Sequence, residues 1–352
     1  MASAITSPFS FNTDELKDIS RIIVEKTFEN SLISELHDIE TGIKYDTQIV
    51  FAGKKGLMGK TITGCTMPTA GGITLTEKKW SPTNIGFRII HCHADAGAQD
   101  KLMQQWTRTN PDFFNVVEGS QSKIGAFLTG VVLEAMPEDI LVKAWFGDKV
   151  AATYANSGNI SNGFDVALIN SINGIWKQIF TEIPTPTVAI AKNAQASYVA
   201  QELATGDGYA ILKNLHNKAD SRLVSMPNAQ FLVTRSVYNQ YLNDVEDKQF
   251  NAGFTQTVEN GISILRYRGI KVQMVEIWDR YTKLLHDNGT KLYRPHRAIL
   301  TVKENIPIGT QDVESLSKLD AWYNRDENSN KIDAIYNLDA KLLETYLCAV
   351  AY

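Results

Sequence analysis

Apolar residues recur at helical spacing near the start of the chain. Leu16, Ile19, Ile22 and Ile23 share one face, and Asn12 with Glu15 resembles a reciprocal N-terminal cap. The pattern predicts a helix from there to about Asn30. The twelve residues before it are small, polar and proline-containing, and read as a flexible arm. The periodicity then shortens to two. Gly42 begins a strand through Phe51, and Ile73, Leu75, Ile85, Phe87 and Ile89 alternate with polar or small residues through Cys92. Between them lies a glycine-rich stretch with no long apolar face. Residues 42–92 therefore read as one long two-stranded hairpin. Such a hairpin is not stable alone in water, so it must lie on something.

The middle of the chain returns to helical spacing. Ile124–Glu134 is apolar, and Pro137-Glu138-Asp139 predicts the opening of a second helix through Trp145. Leu168, Ile172, Ile175, Trp176 and Ile179 make a third amphipathic face, and Pro184 and Pro186 mark a boundary. Beyond it, short strands are predicted at 188–190, 230–234, 262–265, 270–275 and 298–302, the third and fourth joined through Gly269. Helices are predicted at 209–215 and 236–241. Alternation from Ile332 to Leu342 predicts a closing strand or hairpin. Strands and helices mix without a regular βαβα beat, so the fold class is α+β. No internal repeat is visible.

Bulk properties narrow the function classes. The 352 residues suit about two domains. A net charge of −4 gives no global basic footprint for gripping nucleic acid. Three cysteines, Cys65, Cys92 and Cys348, are too few and too far apart for a disulfide scaffold. The start shows no basic and apolar segments of a secretory signal, and the run Ile124–Met136 is too short to span a bilayer. The expectation is a soluble protein with no membrane role.

Candidate chemistry is sparse. The stretch AGKKGLMGKT, residues 52–61, nearly matches a phosphate loop. The required glycine six residues before Lys60 is replaced by Lys54, and the β-prone residues that follow end at Pro68. No helix dipole would therefore point at a phosphate. The bland reading, a basic loop tip, is the better one. His91 and His93 share a strand face but lack the further ligands of a zinc site, so no metal is expected. No nucleophile elbow and no dinucleotide fingerprint is present. Asp244, Glu246 and Asp247 read as a solvated helix end. The six tryptophans read as core, with subunit anchoring as the alternative. No catalytic residue and no cofactor is expected.

Several phrases in order carry a resemblance. NAQFLVTRSVYNQYL, NGISILRYRGIKVQMV, YRPHRAILTVKENIPIGT and KIDAIYNLDAKLLETYLCAVAY resemble the C-terminal half of tailed-bacteriophage major capsid proteins. AMPEDILVKAWFGDK and GGITLTEKKWSP with FRIIHC resemble their middle and hairpin segments. The resemblance runs from about residue 13. It implies the Hong-Kong-ninety-seven-like phage capsid fold, with an N-terminal arm at 1–41 and an extended β-hairpin loop at 42–90. The peripheral domain would take 91–184 and 311–352, and the axial domain 185–310. It implies a structural protein that is not an enzyme. Its main partner would be itself, as pentamers and hexamers of an icosahedral shell around double-stranded DNA bound without sequence specificity. Portal, scaffold or decoration proteins would join it. Assembly would take place in the host bacterial cytoplasm, and the protein would reside in the virion capsid. The chain starts almost directly at the arm, which implies a separate scaffold or none. Lys54, Lys55, Lys60, Lys78 and Lys79 would lie on or near the inter-subunit loop. Some relatives crosslink through a loop lysine, but a glycine-rich tip favours solvated lysines over the buried one that this chemistry needs. An encapsulin-type shell around cargo enzymes, or a soluble enzyme of unknown class, are the alternatives.

Overall fold

The computed structural model describes residues 13–28, 31–49, 78–92, 105, 108, 123–248, 257–259, 262–311, 318–327 and 329–352. The chain divides into two compact units. One comprises Met1–Ile43, Pro82–Ala144 and Ile308–Asp339, and the other Lys44–Ser81, Trp145–Pro307 and Ala340–Tyr352. Strands and the helices of eight or more residues are numbered here along the chain.

In the first unit, helix α1 (Thr13–Phe28) turns Ile19, Ile23 and Val24 inward, as its apolar spacing dictates. Its buried stripe faces Leu319, Ala321 and Ile332 of the sheet, together with Val132. The sheet runs β1 (Ile39–Thr41), β9 (Ile308–Thr310), β11 (Ser329–Ala340) and β10 (Lys318–Asn324). Strand β2 (Thr83–Cys92) also pairs with β11, antiparallel over its whole length. This divides the single hairpin expected over 42–92. The alternating run from Thr83 is a strand of the sheet and not the return limb of the loop. Its apolar alternation fits either partner, because period two reports a half-buried face and not which strand lies alongside. The closing alternation from Ile332 falls on the single strand β11, whose antiparallel partner β10 lies before the predicted range. Arg88 and Asp333 lie opposite each other on β2 and β11, and Arg88 Nη2 donates to Asp333 Oδ2 at 2.6 Å.

Helix α2 (Lys123–Phe146) runs through Pro137 without ending. A proline inside a helix costs about 3 kcal/mol. Met136, Ile140, Leu141, Val142, Ala144 and Trp145 are all buried, and each large side chain returns roughly 1.5–3 kcal/mol. Burial therefore outweighs the break expected at Pro137. Asp139 accepts from both Lys143 Nζ and the Tyr336 hydroxyl, which ties the helix to β11.

The third predicted helix is shorter than its apolar pattern. Residues 166–168 form a single 3-10 turn with Leu168 exposed, and α3 begins only at Ile175 and ends at Glu182. Gly174 precedes it. A Cβ there would lie 2.7–2.8 Å from the backbone of Gly147 and Trp145, so only glycine permits this approach.

The second unit is built on a five-stranded sheet ordered β12 (Cys348–Ala351), β8 (Ala298–Thr301), β3 (Gln230–Val233), β7 (Ile270–Met274) and β6 (Arg266–Tyr267). β3 and β7 are parallel and the other pairs antiparallel. Helices α4 (Asp207–Lys218) and α5 (Arg235–Lys248) supply Leu212, Leu215, Val237 and Tyr241 to the core formed with Phe231, Val233, Val272 and Leu300. Helix α6 (Glu276–Leu285) adds Trp278 to the buried set. Two short strands, β4 (Thr257–Glu259) and β5 (Ile262–Ile264), pair with each other. Val188 bridges Ala351 in parallel, so the predicted strand at 188–190 is reduced to one rung beside β12. β6 and β7 are joined by Arg268-Gly269, at φ 48° and 84°. Two successive residues at positive φ make the tight hairpin turn whose twist matches the strands.

Candidate functional site

The paired segments 46–49 and 78–80 are the first candidate. Gln48 and Lys79 bridge antiparallel, and three backbone bonds of 2.9 Å join 46–49 to 78–80: Asp46 N to Trp80 O, Trp80 N to Thr47 O, and Ile49 N to Lys78 O. Trp80 and Ile49 are buried. Successive side chains of a strand point to opposite faces. Lys78 Nζ accordingly reaches Glu182 at the end of α3, while Lys79 Nζ meets Asp46 at 2.9 Å on the exposed side. Both lysines thus engage acids of their own subunit. Lys54, Lys55 and Lys60, with the whole AGKKGLMGKT stretch, lie outside the described residues. So do His93 and the first twelve residues.

The second candidate is a cavity of about 390 Å³ walled by Phe146, Trp176, Phe180, His286 and Tyr293. Lys177 and Asp148 form a 2.8 Å ion pair on its lining. Trp278 meets two other tryptophans edge to face, 4.7 Å from Trp145 and 4.8 Å from Trp176 between centroids. Core packing is therefore the role of these three. Arg297 is fully buried against Trp176, its guanidinium 4.9 Å from the ring. It donates to the carbonyls of Arg294 at 2.8 Å and Tyr293 at 3.2 Å. Burial pushes it down to about 9, so it stays a cation at neutral pH.

His286 Nδ1 lies 3.0 Å from the Asn159 carbonyl and so donates to it, and in the neutral ring Nε2 is then the acceptor. Burial pushes its pKa down to about 3, with the nearby Arg297 charge acting in the same direction. His296 is held by Ser236 Oγ at 2.7 Å and the Gln201 carbonyl at 2.6 Å, and burial lowers its pKa too. Both histidines are structural acceptors and donors. His296 does contact Ser236, but its other ring nitrogen is held by the Gln201 carbonyl and not by a carboxylate. Among the described residues no three His, Cys, Asp or Glu side chains gather as metal ligands.

Asp244 overturns its sequence reading. It is 1% exposed, and its carboxylate accepts from Gly206 N at 2.6 Å, Tyr209 N at 2.8 Å and Gln240 Nε2 at 2.8 Å. It caps the start of α4 from the neighbouring helix. Spacing along one helix carries no signal for a cap supplied by another. Arg297 was equally hidden, since an arginine before an apolar strand ordinarily reads as its solvated start.

No protein-family model matches this chain, and no curated protein matches it. Solved structures do. A chain of the satellite phage P4 procapsid that includes the size determination protein aligns with TM-score 0.55 and 13% identity, over 94% of this chain and 98% of its own. A chain of Gordonia phage Cozz aligns with TM-score 0.51 and 9% identity, over 91% and 85%. A chain of the holo-SrpI encapsulin complex from Synechococcus elongatus PCC 7942 aligns with TM-score 0.40 and 10% identity, over 78% and 74%. The first two fix the fold: this is a mixed α+β chain with the Hong-Kong-ninety-seven-like capsid fold.

Proposed function

We propose that this chain is the major capsid protein of a tailed bacteriophage, a structural and not a catalytic protein. It assembles as pentamers and hexamers into an icosahedral shell that encloses double-stranded DNA, formed in the host bacterial cytoplasm. Portal, scaffold or decoration proteins join it there. The observation that carries the reading is near-complete two-way coverage by a procapsid chain, 94% of this chain and 98% of that one. The paired base of the 44–81 loop adds support. It is fastened to its own unit by Trp80, Ile49 and Lys78, which leaves the segment beyond it as the part that would reach a neighbouring subunit.

Electron microscopy of the purified chain, with light scattering for mass, tests the proposal. Closed shells or flat arrays of pentamers and hexamers are expected. A chain that stays monomeric even when produced with the proteins encoded beside it would refute the reading. Particles filled with protein cargo instead of DNA would replace the phage role by the encapsulin role.

A further inference from the structure

The chain is acidic overall, yet one corner of the second unit is not. Residues 208–219 and 262–275 contain no Asp or Glu, and carry Lys213, Lys218, Arg266, Arg268 and Lys271. The fold brings the two stretches together. Arg268 sits at the tip of the β6–β7 turn, and its Nη1 lies 3.3 Å from both His216 Nδ1 and Asn217 Oδ1 on α4. Lys213 is three and four residues before these two and so shares their helix face, and Lys218 follows in the last turn. Lys213, Lys218 and Arg268 are all exposed. Arg266 and Lys271 stand opposite each other on the adjoining ladder.

Two features set Arg268 apart from an ordinary surface arginine. Its contacts on α4 are an imidazole and an amide and not a carboxylate, so they orient the guanidinium without cancelling its charge. Its backbone is at φ 48°, a conformation in which asparagine, aspartate or glycine is the favoured residue of such a turn. A cation is thus held where turn chemistry prefers something else.

We propose that this corner is a contact site for the phosphate backbone of nucleic acid. Guanidinium and ammonium groups on one exposed face suit phosphate oxygens, arginine through paired donors and lysine as a point charge. An acidic protein partner is disfavoured by what surrounds the corner. Protein interfaces carry an apolar core, whereas nucleic-acid interfaces are more polar and more positive. The large apolar residues exposed among the described ones are Tyr45, Ile90, Val150, Leu168, Tyr198, Val199 and Leu284, and none belongs to 208–219 or 265–275. The site goes beyond enclosure of DNA in a shell, because it predicts affinity in the subunit itself.

The test uses the full chain as unassembled subunits, checked by light scattering, and a fluorescent duplex of about 20 base pairs read by anisotropy. The variant is Lys213→Gln with Arg268→Asn. Asparagine suits the positive φ, so the unfolding midpoint should hold or rise, and Arg268→Gly serves as a second variant with the same freedom. The expected result is binding at 50 mM salt that weakens as salt rises. In the variant, affinity should fall about tenfold or more, and the slope of log K against log salt should be shallower by roughly two, about 0.9 for each lost phosphate contact. Unchanged affinity and slope in a folded variant, or no binding by the wild-type subunit, would overturn the site. Displacement of the duplex by polyglutamate at equal charge would assign the corner to an acidic protein instead. Shell formation is scored separately by microscopy, so failure here leaves the capsid reading standing, and the reverse holds too.

Discussion

His286 shows how one buried side chain sets the conditions under which the fold holds. Its pKa is depressed to about 3 in the folded chain, against about 6.5 when unfolded. Between those values the unfolded state binds one more proton. Stability is therefore complete above pH 6.5 and falls with pH through that window, by up to about 1.4 kcal/mol per unit. His296 shifts in the same direction for the same reason, burial. Urea midpoints measured from pH 7.5 to 4.5 should fall, and His286→Gln should flatten the dependence. A flat wild-type profile would contradict the buried neutral imidazole. Cys348 gives a second prediction at this scale. Burial pushes its thiol up to about 12, so almost no thiolate exists at pH 8. Mass mapping after treatment with iodoacetamide should find it unmodified in folded protein and modified in urea.

At the scale of elements, the contact between α4 and α5 is the most exacting. A Cβ on Gly208 would lie 2.3 Å from Tyr241 N and 2.7 Å from Gln240 C, both backbone atoms that cannot rotate away. Gly208→Ala should cost about 1–3 kcal/mol by forcing the helices apart. Asp244→Ala leaves the half-buried N–H groups of Gly206 and Tyr209, at the start of α4, without their acceptor and should cost about 2 kcal/mol. The helices touch at both sites, so the double variant should be less destabilised than the sum, and chemical denaturation of all three measures the coupling. By contrast, Lys78→Ala should change stability by less than about 1 kcal/mol, because both partners of its ion pair are partly exposed.

For the molecule as a whole, the loop tip tests the sequence reading directly. Replacing Lys54, Lys55 and Lys60 together with alanine should leave the subunit folded. Calorimetric titration should find no ATP binding before or after. Micromolar affinity lost in the triple variant would revive the phosphate loop. If the lysines meet acids on a neighbouring subunit, the same variant should also raise the protein concentration needed for shells to form.

The sequence by itself determined the class and most of the elements. Helix α1, the strands β3, β7, β8 and β11, and the helices α4 and α5 all follow from apolar spacing, because periods of 3.6 and 2 are properties of the local backbone. Gly269 announced its turn for a similar local reason. The phrases in order also carried the capsid fold, although no family model matches. What only the tertiary structure decided are the features that depend on partners distant in sequence. Burial kept α2 intact across Pro137, and Gly174 sets the start of α3 by its approach to Gly147 and Trp145. β2 took β11 as its partner instead of the loop's first limb, and Asp244 became a buried cap. Arg297 went inside against Trp176, and Arg268 met α4. Each of these is fixed by a contact between residues far apart along the chain, which local periodicity does not encode.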